Sequence, residues 1–305
     1  MPFIFRAGLW KPRTRPDSFQ GVGDEGLHWL SDVKTLYGIP VATEVATAEH
    51  VNAAVKAGMD YIWIGARTSA NPIAVDNIAQ AIIAYPNYRN TLKAVFIKNP
   101  VNADSALWLG NIERLEKTGL QVITIHRGCN HKPCWHMAHD VRLKRQDIPM
   151  LLDPSHMSGD AKKVPELMAK TGELGLNGAM IEVHYNPQLA LSDKAQQVKP
   201  EDLNHLIFPS YPDQPDVELH WLRAEIDELD DALWDTLAAR MDVSRRIGEW
   251  KKSHGVPPLQ PQRYQQIVES LEGRANHLGL SKDFVEQVWD LIHKESLREQ
   301  LEITN

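Results

Sequence analysis

The stretch YIWIGAR, residues 61–67, sets a short apolar run directly before a glycine and an arginine. A run this short, closed by glycine, suits a buried strand and falls short of a helix. The cation at its end marks the place where a strand gives way to a loop that meets a ligand. The same phrase recurs along the chain as FIFRAG (3–8), PVATEV (40–45), AVFIKN (94–99), VITIHRG (122–128), PMLLDPSH (149–156) and GAMIEVH (178–184). Each is followed by polar or glycine residues and then by a helical period, which is the pattern of a parallel sheet covered by helices. Seven such units predict an α/β fold, a β/α barrel one unit short of the closed eight.

The rhythm ends beyond Glu201, where FPSYPDQPD (208–216) carries three prolines and reads as a linker. The expected barrel is therefore 1–207 and a second domain 217–305. From Val217 to about His254 there is no proline and one glycine, Gly248. Leu222, Ile226, Leu229, Leu233 and Leu237 follow the three-and-four spacing of a helix face. Pro257 and Pro258 stop this long helix. Two shorter helices are expected over Gln262 to His277 and Lys282 to Leu301, with Ser281 capping the last. Three helices, one very long, make a thin all-α domain that is expected to bury its apolar face against a second copy.

Composition narrows the function. A net charge of -7 over 305 residues argues against a nucleic-acid binder, because phosphate backbones demand a basic face. Two cysteines, Cys129 and Cys134, are too few for a disulfide framework. With His131 and His136 they suggest a zinc loop, but the spacing matches no standard knuckle and reduced thiols are expected. No apolar run reaches the ~18 residues of a membrane span, and the first residues lack a signal-peptide layout. A cytoplasmic protein is expected.

In β/α barrels chemistry sits at the C-terminal ends of the strands. Those ends supply Arg6, Lys11, Arg13, Glu44, Arg67, Lys98 and Arg127, and then His156, Glu182 and Asp193. Any one of them alone is an ordinary rim charge. Cations converging from four strand ends repel one another unless an anion lies among them, so the mouth predicts a phosphate or carboxylate ligand. One imidazole and two carboxylates on neighbouring loops form a second set, suited to a divalent metal.

KPRT, IGAR, FIKN, IHRG, DPSH and EVH…ALSD stand in an order that resembles 3-deoxy-D-arabino-heptulosonate 7-phosphate (DAHP) synthase, which joins phosphoenolpyruvate to erythrose 4-phosphate. The resemblance implies that Arg6, Lys11, Arg67, Lys98 and Arg127 hold phosphoenolpyruvate with Glu44 nearby, and that Arg13 and Thr14 take erythrose phosphate. It implies that His156, Glu182 and Asp193 ligate a divalent ion such as manganese. The sister synthase of the eight-carbon sugar has Asn-Arg where this chain has Pro-Arg, which favours the four-carbon aldehyde. In the family a fourth metal ligand is a cysteine after the first barrel strand. This chain aligns from the second strand, so a late start or a truncated gene is expected.

In the helical half, Arg240 and Lys251 are eleven residues apart and share a helix face, whereas Arg223 points about 100° away. The order LRAEID…LAAR…IGEWK…PQR…KES…Q resembles the all-helical chorismate mutases. By that resemblance Arg240, and Arg223 from the other chain, grip the two carboxylates of chorismate. Lys251 and Gln300 bond the ether oxygen, and Arg263 and Ser296 line the pocket. Tyr264 stands where the family often has a glutamate that contacts the substrate hydroxyl. The expected protein is bifunctional, with prephenate or chorismate as feedback effector. The alternative leaves the mutase as the enzyme and the barrel as a ligand-binding scaffold.

Overall fold

Among the described residues seven strands form one sheet in chain order, each parallel to the next. They are β1 (Phe5–Ala7), β2 (Val41–Val45), β3 (Tyr61–Ile64), β4 (Ala94–Lys98), β5 (Gln121–His126), β6 (Met150–Leu152) and β7 (Gly178–Ala179). The structure is a computed structural model that describes residues 3–13, 15, 17–206 and 216–304. Helices follow the strands as α1 (Glu25–Tyr37), α2 (Ala48–Lys56), α3 (Ala66–Ser69), α4 (Pro72–Ala84), α5 (Ser105–Glu116), α6 (Trp135–Lys144), α7 (Pro154–Ser158) and α8 (Val164–Glu173). Most of the proline-rich segment lies outside the described residues.

Strand side chains alternate between two faces. The outward set, including Val45, Ile62, Ile64, Val95 and Ile97, packs with Val51, Ile78 and Trp108 of the helices into the main core. The inward set is smaller: Ala42, Trp63, Phe96, Ile125 and Met180, with Ile4 and Leu151 against them. This is an apolar floor inside a curled sheet. The curl brings the ends of the sheet together, so that Arg6 of β1 lies 3.7 Å from Glu182 beyond β7.

β7 is shorter than GAMIEVH suggested. Only Gly178 and Ala179 pair with Leu151 and Leu152. The chain then changes partner: Glu182 N donates to Ser155 Oγ at 3.0 Å, and Val183 bridges Val198 instead of β6.

The helical part comprises α9 (Val217–His254), α10 (Pro261–His277) and α11 (Lys282–Thr304). Ser281 caps α11, accepting from Phe284 N at 3.3 Å. Packing divides the chain into Met1–Glu228 and Leu229–Asn305, so the first turns of α9 belong with the barrel. Leu222, Ile226, Leu229 and Leu233 are 48%, 58%, 66% and 52% exposed, an uncovered apolar stripe along α9. Among the described residues no helix is long and apolar enough to cross a membrane.

Candidate functional site

The barrel site follows from the two-residue period of a strand. Two positions beyond each floor residue, the same inward face carries a polar one. Ile4 leads to Arg6, Ala42 to Glu44, Trp63 to Gly65, Phe96 to Lys98, Ile125 to Arg127, Leu151 to Asp153 and Met180 to Glu182. A single layer above the floor thus gathers Arg6, Glu44, Lys98, Arg127 and Glu182 of the expected residues. Gly65 is the gap in it: a Cβ there would come within 2.1 Å of Glu44 Oε1. Gly8 does the same for the next loop, since a Cβ there would meet Lys11 Cε at 2.8 Å.

Lys98 is buried and donates to Asp153 Oδ2 at 2.6 Å. Asp153 also accepts from the His156 backbone N–H at 3.0 Å and holds His156 Nδ1 at 2.9 Å. Burial alone would raise the Asp153 carboxyl, but His156 and Lys98 outweigh it and hold it well below the usual carboxylate range. Glu182 is likewise buried, yet His156, Arg6 and Lys11 bring it down to about 2. Gln196 and Gln197 donate to its Oε2 at 2.8 and 2.9 Å. Glu44 goes the other way, because burial outweighs Lys98 and Lys11 and raises its pKa.

The cations are incompletely satisfied. Among the described residues one terminal nitrogen of Arg6 is buried with no hydrogen-bond partner, and its guanidinium lies 5.3 Å over the Trp63 ring. Lys11 reaches Ser192 Oγ at 3.3 Å, and burial lowers its pKa. The Arg127 backbone N–H is fixed by Asn99 Oδ1 at 2.7 Å, while burial lowers the pKa of its guanidinium. Arg67 is exposed on α3. Arg13 donates to Asp193 Oδ2 at 3.2 Å and to the Phe19 carbonyl at 3.0 Å. Thr14 lies outside the described residues.

Of the expected metal ligands, two meet. His156 Nε2 is 3.6 Å from Glu182 Oε1, a separation that two donors of one ion can adopt at metal–ligand distances of about 2.0–2.2 Å. Asp153 on Nδ1 is the carboxylate that commonly orients a metal-ligating imidazole. Asp193 is instead taken by Arg13, and among the described residues no three His, Cys, Asp or Glu side chains are grouped closely enough for a metal ion. Asp153 was legible in DPSH only as the residue before proline. An Asp three positions before a His at a helix start is the signal that finds it. Cys129 and Cys134 are buried free thiols.

In the helical unit Arg240, Lys251, Ser296 and Gln300 come together between α9 and α11. Arg240 hydrogen-bonds Ser296 Oγ and lies 5.1 Å over the Trp289 ring. Lys251 donates to Gln300 Oε1 at 3.0 Å and to the Pro258 carbonyl at 2.6 Å. Burial lowers the pKa of both cations. Gly248, the lone glycine of α9, permits the approach: a Cβ there would sit 3.2 Å from Gln300 Cα. Arg263 is exposed on α10 and among the described residues bonds none of the four. Arg223 is exposed on the part of α9 that packs with the barrel.

The fold and sites define a β/α barrel with a cation-rich mouth, joined to a helical unit in which a half-buried Arg240 and a buried Lys251 face Ser296 and Gln300. The sequence model of the DAHP synthetase I family matches residues 1–208, and that of chorismate mutase type II matches 222–301. The chain belongs to the DAHP synthetase I family and carries a chorismate mutase type II segment. A phospho-2-dehydro-3-deoxyheptonate aldolase of Thermotoga maritima is 31% identical over 212 residues, 67% of this chain and 59% of that protein. A 4-amino-4-deoxychorismate mutase of Streptomyces venezuelae is 40% identical over 81 residues, 27% of this chain and 79% of that protein. The crystal structure of a Thermotoga maritima DAHP synthase superposes with a TM-score of 0.57 at 27% identity, covering 75% of this chain and 62% of that one. The chain thus spans about three-fifths of the synthases it matches.

Proposed function

We propose that the chain is a bifunctional enzyme of the shikimate pathway, condensing phosphoenolpyruvate with erythrose 4-phosphate in the barrel and rearranging chorismate to prephenate in the helical unit. The observation that carries the first activity is the layer of Arg6, Lys98 and Arg127 above the apolar floor, with a buried Arg6 nitrogen that has no hydrogen-bond partner among the described residues. Such donors await a phosphate or carboxylate. Glu44, whose pKa burial raises, stands in the same layer. Arg67 and Lys11 complete the clamp from the loops, and Arg13 faces the aldehyde's phosphate once released from Asp193. The Pro-Arg of KPRT supports the four-carbon aldehyde.

His156 and Glu182 would hold a divalent metal such as manganese, with Asp193 joining them, and the metal would supply Lewis acidity toward the aldehyde oxygen. The protein's own part is to fix both substrates: Lys98, anchored on Asp153, sets the height of phosphoenolpyruvate above the floor. Attack by the enol carbon leaves an electron-poor neighbouring carbon, which water captures before phosphate departs.

The mutase reaction needs no acid or base, only a compact conformer and stabilisation of charge on the departing ether oxygen. Lys251 donates to Gln300 Oε1, which holds both side chains together, and the two would act as donors to that oxygen. Arg240 takes one carboxylate and Arg223 of the partner subunit the other, with Ser296 and Arg263 at the wall. The exposed stripe of α9 supports a homodimer. Prephenate or chorismate in this unit would restrain the synthase. The test is to supply phosphoenolpyruvate, erythrose 4-phosphate and manganese in one assay and chorismate in another. DAHP and prephenate are the expected products, and failure of either removes that half of the reading.

A further inference from the structure

α9 is held to the barrel by a side-chain lock that neither set of site residues includes. Trp221 is fully buried, and its Nε1 donates to the Leu174 carbonyl at 3.1 Å. His139 of α6, itself 4% exposed, stacks on Trp221 at 5.3 Å with the planes 7° apart. The two ring nitrogens of His139 face two carboxylates of α9: Nδ1 hydrogen-bonds Glu225, and Nε2 lies 3.3 Å from Glu218 Oε2. One turn away His136 Nδ1 meets Glu228 at 3.1 Å. Trp135 supports Trp221 from its edge at 6.1 Å.

Glu218, Trp221, Glu225 and Glu228 lie three, four and three residues apart, which is one face of a helix. Arg223, two residues beyond Trp221, lies about 200° round the axis and is exposed. Between them, near 110°, runs the stripe of Leu222, Ile226 and Leu229. Apolar contacts alone would let a helix turn about its axis. Contacts from one imidazole to two side chains about two turns apart fix both rotation and height. The consequence is a change of reach, because a turn of about 20° carries a side-chain tip on a helix about 2 Å, enough to take a guanidinium out of hydrogen-bond distance of a carboxylate.

We propose that His139 is a positioning residue for the rearrangement of chorismate: by gripping Glu218 and Glu225 it fixes the rotation of α9 and so the direction in which Arg223 is presented to the partner subunit's pocket. This rests on the reading of Arg223 as a carboxylate clamp. Through it an element of the barrel sets the affinity of the mutase for its substrate.

The test is a cycle of variants in the full chain, read as chorismate KM and kcat. His139→Phe keeps the ring on Trp221 and removes both nitrogens. It should raise KM about five- to tenfold and change kcat less than about twofold. His139→Gln, which keeps one polar group, should recover part of the KM. In an Arg223→Ala background His139→Phe should add nothing, because coupled residues are not additive. If His139→Phe aggregates, Glu225→Gln makes the same cycle from the more exposed partner. An unchanged KM, or an increase that multiplies that of Arg223→Ala, overturns the proposal. If Arg223→Ala itself leaves KM at the wild-type value, the clamp reading fails and takes the proposal with it. Both outcomes differ from a wild-type chain that does not turn over chorismate, which would remove the mutase itself.

Discussion

Gly65 at the end of β3 leaves the space that the Glu44 carboxylate of β2 occupies, since a Cβ on Gly65 would stand 2.1 Å from Glu44 Oε1. The backbone at Gly65 is extended, with φ -71°, so the glycine answers to close approach and not to conformational strain. Gly65→Ala should push Glu44 into the space between Lys98 and Lys11. The expected result is a several-fold rise in the KM for phosphoenolpyruvate with a stability loss of about 1–3 kcal/mol from overpacking. Steady-state kinetics and denaturant unfolding check the two parts separately.

Gly248 has the matching role in the helical unit. Gly248→Val should hold α11 away from α9, because the nearest atom is the Gln300 backbone and cannot swing aside. Chorismate turnover should fall at least tenfold while the helical circular dichroism persists. Retention of both would mean that the Lys251–Gln300 contact is not needed at this distance.

Lys251→Ala removes a group that hydrogen-bonds both Gln300 and Pro258. As a donor to charge developing in the transition state, it should lower mutase kcat about 100- to 1,000-fold. The synthase rate should be unaffected. Wild-type chorismate turnover would remove Lys251 from the mechanism.

His126 gives the barrel an acid limb. Fully buried beside Trp108 and Trp135, its imidazole is pushed by desolvation down to about 3. Unfolding returns it to about 6.5, so the unfolded chain binds the extra proton as pH falls. Its contribution is therefore complete above about pH 6.5 and is lost at roughly 1.4 kcal/mol per pH unit below that. His126→Phe should flatten the fall in stability between pH 6.5 and about 4.5. Urea unfolding across that range reads the slope, and an unchanged slope assigns the acid limb to other groups.

The sequence carried the barrel because strand and helix periods differ, and it carried the mouth because cations at strand ends are conspicuous in FIKN and IHRG. It did not reveal the single layer, which needs the register that turns Phe96 and Ile125 inward together. β7 was overextended, because GAMIEVH has the composition of a strand while Ser155 and Val198 draw its backbone away from β6. The α9 pattern showed the leucine stripe but not Trp221, since a single aromatic has no period to report. Asp193 was grouped with His156 and Glu182 on residue type alone, and nothing in the sequence pairs it with Arg13.

The layer above the apolar floor is expected to bind phosphoenolpyruvate independently of the helical cluster. Calorimetric titration of phosphoenolpyruvate into the full chain tests it without requiring turnover. One site per chain is expected, with affinity lost in Arg127→Ala and kept in Lys251→Ala. Absence of binding, or binding that survives Arg127→Ala and disappears in Lys251→Ala, would contradict the account.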